Sequence, residues 1–349
     1  MRAVSRIFEY LNLERKSEHG SWDYFAPIEK IRVLAAKLIG AGPDEIGISP
    51  NTSYGFNLAA QGLEFKKGDE VLVPEGEFPA GVYPWLNLKF RGVRIKFIRS
   101  EAGFFSFGNF LKAVNKKTKL VSVGFVQSFN GFKIDLEAIG IVCREKSIVF
   151  VVDGIQGVGN QEIDVKKCGI DLLTCGGQKW LLSPPGSGFF YVSRKLQKKI
   201  RPAFFGWMGV DWQYCWDNLR IYDKPPFESA RRYEIGSYPY ADLAGMAASL
   251  EMIEQIGVRK IQRHTLELLD YLIGYLQESG LRIVSNLDPL HRSAILTFAA
   301  KNAKSLHRQL MQKQIICSFR EGNIRISPHF YNTPAEIDRL ISALGKFGH

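Results

Sequence analysis

The stretch from Ile148 to Lys195, IVFVVDGIQGVGNQEIDVKKCGIDLLTCGGQKWLLSPPGSGFFYVSRK, decides how the chain reads. It opens on Ile148–Val152, a continuous apolar run such as a strand needs when both of its faces are covered. Asp153 closes that run, at the carboxyl edge where open α/β sheets place their ligands. Gln156 comes next in the turn. A second short strand, Leu172–Thr174, leads through Cys175-Gly176-Gly177 to Lys179, and Phe189–Val192 follows a Gly/Pro-rich turn. An acid and a lysine thus reach one sheet edge, flanked by small residues that leave room for a bound group.

Reading outward from this stretch extends the pattern. Leu120–Phe125 is another fully apolar run, and Leu136–Arg144 between the two runs has helical spacing, giving strand–helix–strand. Glu70–Pro74 and Arg94–Ile98 are rich in β-formers, whereas Ile28–Ile39 and about Thr52–Leu63 read as helices. The alternation predicts an α/β fold with a mainly parallel sheet covered by helices on both sides. Past the helix Leu243–Ile256 the order changes to strand Ala294–Phe298, helix Ser305–Lys313, strands Ile315–Phe319 and Ile324–Ser327, and a helix after Thr333. Thr333-Pro334-Ala335-Glu336 is a capping box with proline at the first helical position. We expect an N-terminal segment, 1–25, packing on the small domain, a large domain over 26–250, and a small α+β domain over 251–349.

Composition excludes several classes. The 349 residues are 46% hydrophobic and 23% charged, too apolar for a disordered chain. No run approaches the roughly 18–20 apolar residues of a membrane span, and the N-terminus has no apolar core of a secretory signal. Five scattered cysteines (Cys143, Cys168, Cys175, Cys215, Cys317) contain no CxxC pair, and the six histidines (His19, His264, His291, His307, His329, His349) show no metal-ligand spacing. Reduced thiols, no metal and a cytoplasmic location are expected. The excess of 46 Lys+Arg over 35 Asp+Glu gives +11, but it is scattered in short pairs such as Lys66-Lys67 and Lys198-Lys199. Nucleic-acid binding concentrates such charge on one element, so a solvated basic surface is the plainer reading.

The acid and lysine match what pyridoxal phosphate requires. A lysine amine must form the Schiff base. A carboxylate must keep the pyridine nitrogen protonated so that the ring accepts electrons. A polar group should meet the ring oxygen, and amides at a helix start should hold the phosphate. Gly154-x-x-Gly157-x-Gly159 lacks the spacing of a dinucleotide loop, and PPGSG at Pro184–Gly188 lacks the Lys-Ser/Thr of a P-loop. Taken singly, a lysine is normally a surface residue and an aspartate at a strand end is often a turn former.

DGIQ followed by GGQKWLLSPPGSGFFYVS resembles the class V aminotransferases of fold type I, which include cysteine desulfurases and isopenicillin N epimerase-like proteins. The resemblance covers most of the chain and implies the PLP-dependent transferase fold, with Lys179 as the Schiff-base lysine, Asp153 as partner of the pyridine nitrogen and Gln156 as contact to the ring oxygen. ISPNTSYGFNLAAQGL is similar to the family's phosphate loop, implying roles for Thr52 and Ser53; a plain N-cap is the bland alternative. In PEGEFPAGVYPW, Phe78 stands where a histidine often stacks on the cofactor. VGFVQSFNGFKIDL points to Gln127. RRYEIGSYPYADLAG resembles a segment that reaches the partner subunit's phosphate, which implies Ser237 and a homodimer with shared sites. FREGNIRISPHFYNTPAEID resembles the segment whose arginine binds the substrate carboxylate, implying Arg325, since a guanidinium pairs with a carboxylate through two bonds.

The departures narrow the activity. Gln178 replaces the histidine that desulfurases carry before the lysine, and Gly176 replaces a phosphate-binding serine. The chain between Ile315 and Arg325 is too short for the desulfurase cysteine loop, and Cys317 reads as core within a strand. These residues imply an enzyme acting on an amino acid or amine, first as an aminotransferase-like transferase, with an epimerase or a cysteine/selenocysteine lyase-like activity as alternatives.

Overall fold

The apolar runs become the centre of a sheet in the computed structural model, which describes residues 2–15, 25–212, 218 and 220–345. Cys215, His19, His349 and part of the N-terminal segment lie outside the described residues. Seven strands, β1 (Ile46–Ser49), β2 (Glu70–Pro74), β3 (Arg94–Ile98), β4 (Thr118–Gly124), β5 (Val149–Asp153), β6 (Leu172–Gly176) and β7 (Gly188–Val192), pair in the order β1-β7-β6-β5-β4-β2-β3. Strands β2 to β6 run parallel, while β7 is antiparallel to both β6 and β1. Every residue of β5, β6 and β7 is buried.

Burial on both faces explains why these strands lack polar alternation. Val71, Val73, Val151, Leu172 and Phe190 enter one apolar cluster. Their neighbours Leu72, Phe150, Val152, Leu173, Phe189 and Tyr191 enter another on the opposite face. Each such fully buried side chain contributes roughly 1.5–3 kcal/mol.

The helices that follow and cover the sheet are α1 (Arg2–Arg15), α2 (Ala26–Ile39), α3 (Thr52–Gly62), α4 (Tyr83–Leu86), α5 (Phe107–Ala113), α6 (Leu136–Glu145), α7 (Arg194–Gln197) and α8 (Tyr240–Ile256). The chain then breaks at Gly257, whose φ of 86° is left-handed, and resumes as α9 (Val258–Glu278), followed by α10 (Ala303–Gln312) and α11 (Pro334–Leu344). At the start of α11 the capping box is present, with Thr333 N–H donating to Glu336 Oε2 at 2.8 Å.

A second sheet of three antiparallel strands, β8 (Leu296–Phe298), β9 (Ser318–Arg320) and β10 (Asn323–Ile326), has the order β8-β10-β9. Its apolar cluster draws on buried residues from Leu268 to Leu344.

One expectation needs correction. The strand read at Ile315–Phe319 begins only at Ser318, because Gln314 takes a left-handed φ of 57° and the Ile315 amide still bonds back to Leu310 of α10. Cys317 therefore precedes the strand. The N-terminal helix α1 packs mainly on α8, with Ile7 against Gly245 and Arg2 Nη1 donating to Gln255 Oε1 at 2.7 Å. The reason is α8's run of small residues, Ala244-Gly245-Met246-Ala247-Ala248, which lets another helix approach.

One buried ion pair fixes the segment before α8. Arg32 of α2 grips Glu234 with two bonds of 2.6 and 2.9 Å, and Glu234 also accepts the Ile48 amide at 2.7 Å and the Tyr238 hydroxyl. Removing one partner of such a buried pair typically costs about 3–5 kcal/mol.

Candidate active site

Three strand ends and one helix start converge at the carboxyl edge of β4, β5 and β6. Asp153, the last residue of β5, is buried, and its Oδ1 accepts the Ile155 amide at 2.9 Å. Burial raises its pKa to about 6, against the amide bond and the nearby Lys179, which both lower it. Lys179 lies in the turn after β6. Burial lowers its ammonium pKa, Asp153 opposes that effect, and the positive charges of Arg325 and Arg320 add to the lowering. The Lys179 Nζ sits 5.5 Å from the centre of the Phe78 ring, which is 49% exposed and forms a wall of the opening.

The turn carrying Lys179 is held from several sides. Leu182 adopts a left-handed φ of 51°, its amide bonds to Lys179 O at 3.1 Å, and its carbonyl accepts Ser249 Oγ of α8 at 2.9 Å. The neighbouring Trp180 stacks on His329 at 5.0 Å, and the buried His329 Nε2 meets Trp180 O at 3.2 Å. The Phe330 amide donates to His329 Nδ1 at 2.9 Å, so the ring proton belongs on Nε2. Burial lowers the His329 pKa to about 4, which keeps the ring neutral.

Arg325 on β10 faces the same edge from the small sheet. It donates to Ser128 O, beyond the end of β4, and to Ser318 Oγ at 3.3 Å, while its buried Nε has no partner. Gln127, in the same turn as Ser128, is buried with an unpartnered Nε2. An orphaned buried amide donor is costly, and an acceptor oxygen supplied by a ligand would satisfy it. Gln156 is buried in the turn after β5.

The other end of the site is built on α3. Asn51 is its N-cap, accepting the Tyr54 amide at 3.2 Å, so Thr52 and Ser53 fall in the first turn, where backbone amides have no intrahelical partner. Gly55 lets α3 lie against β6, since a Cβ there would stand 2.5 Å from the Thr174 side chain. Thr52 Oγ1 accepts the Gly176 amide at 2.9 Å, and Thr52 O accepts Thr174 Oγ1 at 2.8 Å. At Gly176 a Cβ would meet Gln178 Oε1 at 2.5 Å, so the two departures from the family pattern are sterically linked.

Lys179, Asp153, Phe78 and Arg325 are thus gathered at one sheet edge, with Gln127, Gln156, Thr52 and Ser53 on the turns and helix start around it. Ser237 is not among them: it is exposed on the segment fixed by Glu234, beside Pro50 and Tyr54. Sequence reading passed over His329, Ser128 and the half-buried Glu77. Glu77 had one signal, an acid immediately before the candidate stacking residue. Among the described residues no cluster of His, Cys, Asp or Glu could hold a metal ion.

The residues present fit pyridoxal phosphate. A buried acid, a lysine of lowered basicity, an unpartnered amide donor and a helix start stand together, and each has a complementary group on that molecule.

Comparison with known proteins agrees. A family model described as aminotransferase class-V matches residues 3–340. A probable cysteine desulfurase of Methanothermobacter thermautotrophicus is 30% identical over 332 residues, 90% of this chain and 82% of that protein. The uncharacterized aminotransferase YcbU of Bacillus subtilis is 29% identical, over 88% of this chain and 80% of its own length. Among solved structures, the apo cysteine desulfurase of Thermococcus onnurineus superposes with a TM-score of 0.89 at 24% identity, covering 99% of this chain and 90% of that one. The cystine C-S lyase C-DES, in complex with cysteine persulfide, superposes with a TM-score of 0.90 at 21% identity, covering 100% and 95%. At such identities the structural likeness shows the fold.

Proposed function

The chain belongs to the class V aminotransferase family, and from that premise we propose that it acts on an α-amino acid whose Cα proton is removed by Lys179. It is a pyridoxal-phosphate-dependent enzyme of the fold that family shares. The cofactor, when bound, supplies an electron sink for the pair left at Cα. The observation that carries the reading is the placement of Lys179 beside Asp153 and Arg325: burial and the positive neighbours lower its basicity, as suits a group that takes and returns a proton.

In this reading the Arg325 guanidinium orients the substrate carboxylate, exchanging its bonds to Ser128 O and Ser318 Oγ for a bidentate contact. Phe78 covers the opening as an apolar wall and carries no proton. Asp153 would hold the positive charge of the ring nitrogen, Gln127 and Gln156 would donate to the ring oxygen, and Thr52 and Ser53 would hold the phosphate.

We propose transfer of the amino group as the reaction. A second reading, C–S cleavage, draws support from the names of the relatives. Sulfur relay through a protein thiol has no support among the described cysteines. Cys317 packs against the small-sheet core with its pKa raised by burial to about 11, and Cys175 is fully buried with its thiol pushed up as well. A panel of amino acids with a 2-oxo acid acceptor separates these readings. A new amino acid supports transfer; oxo acid, ammonia and sulfide released together support C–S cleavage without sulfur relay; alanine with a persulfide on the protein would overturn transfer and show C–S cleavage with relay. Lys179→Ala should lower turnover at least about 10³-fold and abolish borohydride-fixed labelling of the chain with the cofactor.

We also propose a homodimer in which Ser237 serves the partner's site. Its segment is exposed and continuous with an apolar surface at Phe204, Phe205, Trp207 and Tyr222. Sedimentation velocity tests this, and a monomer at micromolar concentration would refute it. A cytoplasmic location is consistent with four unpaired described cysteines and is checked by fractionation. No described helix is long and apolar enough to cross a membrane.

A further inference from the structure

Beyond β2 the chain turns through Glu75 and Gly76 and brings Glu77 back over the strand ends, one residue before Phe78. The Glu77 carboxylate accepts the Gly124 amide through Oε1 at 2.8 Å. Its Oε2 lies 3.0 Å from where a Cβ on residue 124 would be, so glycine at that position admits the carboxyl. Gly124 is the direct register partner of Asp153 across β4 and β5. Glu77 and Asp153 are therefore carried at adjacent strand ends, Glu77 through the amide of Asp153's register partner.

We propose that Glu77 is a positioning residue for the nitrogen end of the cofactor ring, forming with Asp153 a two-carboxyl site that holds a proton when the cofactor is absent and releases it when the cationic ring docks. The proposal rests on the reading of Asp153 as the ring's partner. In the balanced step, the Glu77 carboxylic acid loses its proton to solvent, and the protonated ring nitrogen takes the place of that proton as the neutralising charge.

The surroundings support this assignment. Burial, with Asp153 adding to it, raises the Glu77 pKa to about 7, while the amides of Gly124 and Phe78 oppose the rise. Lys179 from the turn after β6 acts on Asp153, and buried Cys175 of β6 feels both Asp153 and Lys179. Arg325 and Arg320 from the small sheet act on Lys179. No cation figures among the described groups that set the acidity of Glu77. Of the two carboxyls Lys179 acts on Asp153 alone, so the second leaves room for one more positive charge.

The test measures the dissociation constant of pyridoxal 5'-phosphate between pH 5.5 and 8.5 for wild type, Glu77→Gln and Asp153→Asn, with proton release on loading read by calorimetry in buffers of different ionisation heat. One linked proton changes the wild-type to Glu77→Gln ratio of dissociation constants by up to about tenfold per pH unit below pH 7. The wild type should release more protons on loading near pH 6.5 than Glu77→Gln does. A ratio constant at every pH would mean a merely structural role and overturn the proposal. Asp153→Asn tests the underlying reading separately: unaltered cofactor affinity there removes Asp153 as ring partner, whatever Glu77 does. Should Glu77→Gln fail to fold, carboxyl carbon resonances of the wild-type apoprotein decide. A Glu77 carboxyl titrating near pH 7 supports the proposal, and one titrating in the ordinary carboxylate range overturns it.

Discussion

The two ends of the proposed cofactor cradle are built on opposite principles. At the ring-nitrogen end, Asp153 and Glu77 are carboxyls held by backbone amides from strands and turns buried in the large sheet. At the phosphate end, α3 presents first-turn amides and the Thr52 hydroxyl, with Gly176 where a serine would add a contact and Ser237 exposed elsewhere. The first end is complete within one chain and depends on burial. The second is sparse, and its shortfall is what a partner subunit would fill.

That contrast can be broken most decisively at Asp153. Asp153→Asn should lower turnover by about 10²–10³-fold, because a neutral amide does not stabilise the positive ring nitrogen; steady-state kinetics with saturating cofactor checks it. A loss below fivefold would erase the asymmetry between the ends.

The apoprotein offers a second way in. Asp153 titrates at about 6 and Glu77 at about 7 in the folded chain, both above their ordinary values of 3.8 and 4.5. Raised carboxyl pKa values give stability that is present below the unfolded values and lost as pH rises through the folded ones. The apoprotein should therefore lose stability between roughly pH 4 and 7 from this end, and its melting midpoint should be lower at pH 7.5 than at pH 5.5 by about 2–6 °C. Asp153→Asn should flatten that slope, whereas a change at Thr52 should leave it intact.

The phosphate end predicts smaller effects. Thr52→Ala removes one hydroxyl that accepts the Gly176 amide, and should weaken cofactor binding about three- to tenfold, as for a single hydrogen bond. Gly176→Ser should change affinity about twofold or less, because the new Cβ must displace the Gln178 amide before its hydroxyl is useful. Gly176→Ser combined with Gln178→His should gain more than the sum of the two single changes, measured as a double-mutant cycle.

Much of the large sheet could be read before any coordinates because its strands are buried on both faces, which leaves unbroken apolar runs such as Val149–Val152. Asp153 and Lys179 were legible for a related reason: each ends or follows such a run, and period and position alone bring them to one edge. Glu77 and His329 were not, since nothing local in PEGEF or SPHFY reveals that the first folds back over Gly124 or that the second stacks on Trp180. Those contacts join residues far apart in the chain. The misplaced start of β9 has a local cause, a left-handed Gln314 that no strand propensity signals.

His329 has a consequence for how this site changes over evolutionary time. Its one ring hydrogen is committed to Trp180 O, its other nitrogen is bonded to the Phe330 amide, and its low pKa keeps that arrangement constant across physiological pH. The turn carrying Lys179 and the segment carrying Arg325, four residues before His329, are thereby mechanically one piece. The two backbone segments are joined during folding, before any ligand arrives. Under the proposed function, substrates of different length would be accommodated by exchanging side chains such as Phe78, since re-angling the small sheet would disturb the His329 contact that supports the lysine's turn.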